Sequence, residues 1–354
     1  ALLLKALSPF LSLFLAITAA FASLPFAQAR LKSFSLAALL LSYALVAAWV
    51  YAGELKKLTG KIKQVFQGKS VLALIFCFLL VLACCFQATR SRMLEVTFLD
   101  VGQGAALFIR TPAGSSLLID AGGASFERAR DPGESVLVPF LNYRQTKKLN
   151  ALFITHPHAD HYGGAFSLLD SFRTDMLGVS VLTGEDGYRD LLAEARRRGI
   201  TLLTLAAGDR VRPDRDVELQ VLHPTTRLEK DTEAAENNNS LVMRLVYGDI
   251  GFLFTGDIEG ESEAFLVQSG RDLKCTVLQI PHHGSAASTG EAFLAQANPQ
   301  YAVIPVGPNP FGHPSEEVLK RLENRGIAVY RTDLHGAVTF KTDGKKLTVS
   351  SMLK

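Results

Sequence analysis

Polarity is distributed unevenly along the chain. Three uncharged, strongly apolar runs occupy residues 6–29, 33–53 and 70–89, and each reaches the roughly 20 residues that a bilayer core requires of a helix. A signal peptide or a buried core helix would account for one such run, but not for three in succession. Residues 1–91 are therefore expected to be transmembrane helices, the first interrupted by Ser8, Pro9 and Pro25. From about Arg92 the texture changes to short β-branched and aromatic runs closed by Gly, Pro and Asp, the pattern of strands and turns. Strands are predicted at 94–101, 105–111, 115–119, 151–154, 217–222, 241–247, 251–254, 275–280, 301–306, 327–330, 337–340 and 347–349. Helices are predicted at 188–198, 262–268, 291–297 and 315–325, the last with Ser315 as its cap, Glu316 and Glu317 in its first turn and Gly326 at its end. The first three strands are joined by turns, an antiparallel start. Two β-rich halves with flanking helices predict an α/β domain over 92–354, its two sheets face to face and its helices outside.

Charge adds an orientation. Lys56, Lys57, Lys61, Lys63 and Lys69 stand against Glu54 between the second and third runs. The positive-inside rule makes that loop cytoplasmic and places the domain outside the membrane, with Arg90 and Arg92 arguing mildly the other way. The chain opens on Ala1 and is expected to be a piece of a longer polytopic protein. Cys77, Cys84 and Cys85 lie in the third run and Cys275 in a strand, so no disulfide framework or cysteine zinc cluster is visible. A net charge of +3 does not by itself imply a nucleic-acid partner. Arg196, Arg197, Arg198, Arg210, Arg212 and Arg215 are as well explained by solvated surface as by phosphate contact.

The candidate chemistry is concentrated in Thr155-His156-Pro157-His158-Ala159-Asp160-His161-Tyr162-Gly163-Gly164, directly after the apolar strand 151–154. Three imidazoles and a carboxylate within six residues make a poor core and a good ligand set for Zn or a similar divalent ion. Polar residues recur past the ends of other strands: Asp257 after 251–254, His282 and His283 after 275–280, and His313 after 301–306. Strand ends on one sheet edge are where distant segments meet. The expected first set is His156 and His158 at one ion, Asp160 and His161 at a neighbouring one, Asp257 as the bridge and His283 arriving from a later strand. His223 and His335 are placed outside it.

The H-x-H-x-D-H pattern of His156, His158, Asp160 and His161 resembles the signature of the metallo-β-lactamase superfamily. More narrowly, the segments Phe98-Leu99-Asp100-Val101-Gly102-Gln103-Gly104, Leu118-Ile119-Asp120, Asn237-Asn238-Asn239-Ser240-Leu241-Val242, Phe254-Thr255-Gly256-Asp257 and Pro281-His282-His283-Gly284-Ser285 resemble the C-terminal region of the ComEC family of DNA-internalisation competence proteins. The resemblance runs from Leu94 to about Lys341. It implies a four-layer αββα fold, preceded by transmembrane helices, that holds two divalent ions (Zn or Mn) on the outer side of the cell membrane. It further implies DNA, the membrane and other components of the DNA-uptake machinery as partners. Asp160, His282 and His313 are then the candidate catalytic residues of a metal-dependent nuclease, with His282 or His313 able to protonate a leaving oxygen. A hydrolase of another phosphoester or of a lactone, and a non-catalytic DNA-guiding module, are the alternatives. The sequence departs from the family at three places. Ala105 stands where ComEC sequences usually carry Asp, and His158 where they often do. Asn237, Asn238 and Asn239 occupy a region where the superfamily often places a His, so one metal position is expected to be short of a ligand.

Overall fold

The computed structural model describes residues 93–123, 130–182, 184–225 and 234–353, together with positions 15, 43 and 46. Apart from those three positions, the runs expected to span the membrane lie outside the described residues. Among the described residues no helix is long and apolar enough to cross a membrane. The chain divides into a unit of Ala1–Gln64 with Asn142–Gln145 and a unit of Val65–Leu141 with Thr146–Lys354, and both sheets belong to the second.

In chain order the first sheet takes β1 (Leu94–Phe98), β2 (Leu107–Arg110), β3 (Ser116–Ile119), β4 (Ala151–Ile154), β5 (Met176–Val179) and β6 (Thr201–Thr204). The second takes β7 (Arg210–Val211), β8 (Glu218–His223), β9 (Val242–Tyr247), β10 (Ile250–Phe254), β11 (Val277–Gln279), β12 (Tyr301–Ile304) and β13 (Ala328–Arg331). The chain then returns to the first sheet with β14 (Val338–Thr342) and β15 (Leu347–Ser351). Strand order is β15-β14-β1-β2-β3-β4-β5-β6 in one sheet and β13-β12-β11-β10-β9-β8-β7 in the other. In each, an antiparallel portion gives way to a parallel one, β3 to β6 and β10 to β13.

Side-chain alternation along the strands creates the layers. Leu117, Ile119 and Phe153 face inward with Met243, Phe252, Phe254 and Phe340, forming the core between the sheets. Their neighbours Leu118, Leu152 and Ile154 point the other way, onto Leu168 of the helix Ala165–Ser171 and Leu191 of the helix Asp186–Arg197. On the far side Leu253, Leu278 and Ile304 pack with Leu266, Leu294 and Val318 of the helices Gly260–Gln268, Glu291–Ala297 and Glu316–Asn324. The central strands β1, β3, β4, β10 and β11 are buried on both faces, which is why they read as continuous apolar runs. Ser315 caps the last of these helices, its Oγ accepting the Val318 N–H at 3.3 Å.

Three strands and several helices differ from the sequence reading. β5 contains Gly178, which reads as a breaker but is required by packing, since a Cβ there would lie 2.7 Å from the Phe153 ring. β6 is an edge strand with an exposed Thr201, Leu203 and Thr204, and β7 has only two residues. The helix Ala165–Ser171 is too short to show a clear apolar period.

Candidate metal centre

The site is assembled at the ends of β3, β4, β10 and β11. β4 delivers Thr155 and His156, both fully buried, and a single helical turn, Ala159–Tyr162, follows from His158. Within that turn Asp160 and His161 point in adjacent directions. The turn is clasped by backbone. A Cβ at Gly123 would lie 1.7 Å from the Ala159 carbonyl oxygen, and one at Gly104 would lie 2.3 Å from that of Asp160, so only glycine permits these approaches. Ala105 donates its N–H to the Asp160 carbonyl at 3.3 Å and is itself buried with the core between the sheets.

Asp257 follows β10 through Thr255 and Gly256, and its N–H donates to Ser240 Oγ at 3.1 Å. His283 follows β11 in the short turn Pro281–Gly284, where both His282 (φ 47°) and His283 (φ 53°) are left-handed. Asp120, just past β3, has φ 58°. Three of the six non-glycine residues with positive φ among the described residues thus sit here, a concentration of backbone strain at one site.

Asp160, His161, Asp257 and His283 each present one ligand atom, all within 4.8 Å of one another. Asp257 Oδ2 lies 3.3 Å from both His161 Nε2 and His283 Nε2, and Asp160 Oδ2 is 3.3 Å from His283 Nε2. The outer nitrogens of both imidazoles are engaged. His161 Nδ1 meets Asp120 Oδ2 at 2.8 Å, and His283 Nδ1 donates to the Pro305 carbonyl at 2.7 Å. Asp120 is held in turn by the Thr155 N–H (2.8 Å) and hydroxyl (2.9 Å). Such outer partners fix imidazole tautomer and direction in metal sites. Inside, His161 Nε2 has no well-formed hydrogen bond despite the nearby Asp257 oxygen, and Asp257 Oδ1 is buried without a partner. Two inward nitrogens, two carboxylates and orphaned buried atoms fit a divalent cation.

Electrostatics agree. Burial pushes the His161 pKa down, but the Asp257, Asp120 and Asp160 carboxylates outweigh it and hold it well above the usual range. The same contest, with Asp257 the leading charge, raises His283 to about 10. Burial raises Asp160 and Asp257, yet His161 and His283 hold both well below the ordinary carboxylate value. Without metal, the imidazoles and carboxylates of the quartet favour one another's charged forms.

His156 and His158 form a second, adjoining group. The His156 and His161 ring centroids are 4.1 Å apart, and His156 Nε2 faces His158 Nδ1 at 3.1 Å. Burial first, and then the charge of His161, lowers the His156 pKa well below the usual value, keeping it neutral. Its Nδ1 lies 3.2 Å from Thr155 Oγ1, and His158 Nε2 lies 2.9 Å from Glu236 Oε2. His282 and His313 stand at the rim, their rings 5.5 Å apart, and neither contributes an atom to the quartet. His282 Nδ1 is 3.0 Å from Glu259 Oε1. The His313 loop is held by Asn309, whose Oδ1 accepts the Phe311 and His313 N–H groups. Burial, then the His283 and His282 charges, lowers the His313 pKa.

The asparagine run serves the fold. Asn238 accepts the Glu259 N–H at 2.9 Å and donates to Glu261 at 3.1 Å, Asn239 donates to the Ala235 carbonyl at 2.7 Å, and Asn237 donates to Glu259 at 3.1 Å. His223 is buried against the Asn238 carbonyl and His335 turns back on Arg331, both outside the site. Arg197 and Arg198 pair with Glu194, and Arg210 and Arg212 with Glu218, which favours the solvated reading of these clusters. Sequence reading missed the parts played by Asp120, Glu236 and Glu259. Asp120, a carboxylate at a strand end like Asp257, carried a usable signal; the two glutamates carried none.

Comparisons with known proteins agree with this architecture. The model of the metallo-beta-lactamase superfamily matches residues 99–307. ComE operon protein 3 of Bacillus subtilis is 35% identical over 268 residues, which cover 72% of this chain and 34% of that protein. Competence protein ComA of Neisseria gonorrhoeae is 33% identical over 247 residues, 69% of this chain and 32% of that protein. Both relatives are ComEC family competence proteins, so the resemblance drawn from the motifs stands. The chain spans about a third of the length of these relatives. Among solved structures, the metallo-beta-lactamase fold protein YhfI of Bacillus subtilis is 12% identical, covering 71% of this chain and all (100%) of that one with a TM-score of 0.45.

Proposed function

The chain belongs to the metallo-beta-lactamase superfamily, and on that footing we propose that it is a metal-dependent phosphodiester hydrolase acting on DNA during DNA uptake. Residues 1–91 anchor it as a multi-pass protein in the cell membrane, and the 92–354 domain works outside, beside other components of the uptake machinery. The observation that carries the catalytic part is the buried quartet Asp160, His161, Asp257 and His283 with its orphaned inward atoms. The competence relatives support a role in DNA uptake, and from that role we take DNA as the substrate.

Asp160, His161, Asp257 and His283 would hold one ion, and His156 and His158, with help from Asp257, would hold a second. The chemistry that two divalent ions, Zn or Mn, supply in such a site is Lewis-acid polarisation of the phosphoryl oxygens and neutralisation of the charge that develops on them. Asp160 is the least buried of the four, with 23% of its side chain accessible, and it orients the attacking water. Of the two rim imidazoles, His282, with its Nδ1 3.0 Å from Glu259 Oε1, would be the stronger candidate to give a proton to the leaving oxygen, and His313, whose pKa is lowered by burial and by the His283 and His282 charges, the weaker.

The test uses the 354-residue chain, stripped of metal and resupplied with Zn or Mn, on single- and double-stranded DNA and on bis-p-nitrophenyl phosphate. An Asp257→Ala variant serves as control. Cleavage of DNA by the wild type alone is expected. Hydrolysis of the small diester without DNA cleavage would replace the nuclease with another phosphoesterase, and DNA and metal binding without hydrolysis would make the domain a guiding module. A cytoplasm-specific reporter fused after Lys354 is expected to be silent, and its activity would overturn the outward placement.

A further inference from the structure

We propose that Glu236 is the positioning residue for the His156 side of the centre, setting His158 in the tautomer that can bind metal, as Asp120 does for His161. The inference rests on the reading of a centre with two metal positions.

Hydrogen-bond roles around the two imidazoles follow from their partners. Glu236 is an acceptor, and its Oε2 stands 2.9 Å from His158 Nε2, so in the neutral ring that a metal requires this nitrogen carries the proton and Nδ1 carries the lone pair. Thr155 Oγ1 gives its proton to Asp120 Oδ2 at 2.9 Å. Toward His156 Nδ1, 3.2 Å away, the same hydroxyl can only accept, so His156 is protonated at Nδ1 and has its lone pair on Nε2. The two nitrogens that face each other at 3.1 Å are therefore both acceptors. As neutral rings they cannot hydrogen-bond to one another. A pair of converging lone pairs at this separation suits two ligands of one cation.

The carboxylates behind the two sides differ in setting. Asp120 and His161 are wholly enclosed, at 0% side-chain exposure each, whereas Glu236 and His158 are 56% and 40% exposed. Glu236 also lies in the turn Ala235–Asn238, beside the amides that occupy the place of an expected imidazole. This chain thus supports its first position with an exposed carboxylate acting through His158, and that position is the more readily exchanged of the two.

The test is Zn binding to the 354-residue chain by calorimetry and by competition with a chromophoric chelator, for the wild type, Glu236→Ala and Glu236→Gln. The wild type is expected to bind two equivalents of unequal affinity. Glu236→Ala should weaken the weaker class by about 10–100-fold, the range for lost outer partners, and leave the tighter class and the melting temperature unchanged. Glu236→Gln, whose amide oxygen still accepts the His158 N–H, should lose less than Glu236→Ala. In the metal-free protein, nitrogen NMR of His158 should show Nε2 protonation in the wild type and mixed tautomers in Glu236→Ala. Unchanged binding in Glu236→Ala, or a loss confined to the tighter class, would overturn the proposal. A wild type that binds a single equivalent would overturn the two-position reading, and it shows this before any variant is made.

Discussion

The two sides of the centre are built by different means. The quartet of Asp160, His161, Asp257 and His283 draws on the ends of β4, β10 and β11, and is sealed behind Asp120, Thr155 and the Pro305 carbonyl. The pair of His156 and His158 comes from one short stretch and leans on a partly exposed glutamate. A site drawn together from distant strands inherits the rigidity of the core. A site made by neighbours in sequence has its ligands close by construction, but depends on the surface for their direction. The difference predicts one tightly held ion and one exchangeable ion.

The largest expected effect bears on the element the two sides share. Asp257→Ala should lower the affinity of both positions by more than the roughly 10–100-fold typical of outer partners, seen as loss of both equivalents in elemental analysis after desalting. Retention of one equivalent would show the sides to be independent. Next in size, Asp120→Ala removes the acceptor for Thr155 and for His161. It should cost about 10–100-fold in affinity at the quartet and about 1–3 kcal/mol in urea unfolding, because buried donors are left unpaired. Its effect should fall on the tighter class of sites, opposite to that of Glu236→Ala. The smallest effect is in pH. His283 has its pKa raised to about 10 in the metal-free fold, chiefly by Asp257 against the opposing effect of burial. A raised pKa stabilises the fold fully below the unfolded value of about 6.5 and ceases to do so as pH rises through about 10. Metal-free protein should therefore melt lower at pH 10 than at pH 7, by at least about 2–4 °C, the equivalent of 1 kcal/mol in a domain of this size. Metal-loaded protein should not share the fall, since binding has already displaced that proton. Scanning calorimetry of both forms measures the contrast.

Much of the fold was legible because its central strands are buried on both faces. Runs such as Ala151-Leu152-Phe153-Ile154 and Gly251-Phe252-Leu253-Phe254 announce themselves without reference to partners. Gly178 was not legible, because a glycine that makes room for the Phe153 ring looks like a turn until the ring is in place. The same holds for Gly104 and Gly123, which the sequence presents as loop residues and the fold uses to press backbone against the metal-binding turn.

The sequence alone determined that a histidine cluster and single Asp and His residues follow buried strands, since such placement is a local fact. The resemblance to the superfamily added the expectation that Asn237 to Asn239 leave one metal position short of a ligand. Only the tertiary structure decided which nitrogen of each histidine faces inward. That choice is made by Asp120 for His161, by Pro305 for His283 and by Glu236 for His158, partners 41, 22 and 78 residues away. A tautomer is set by the acceptor that reaches the other side of the ring, and residues so far apart meet only when the chain has folded.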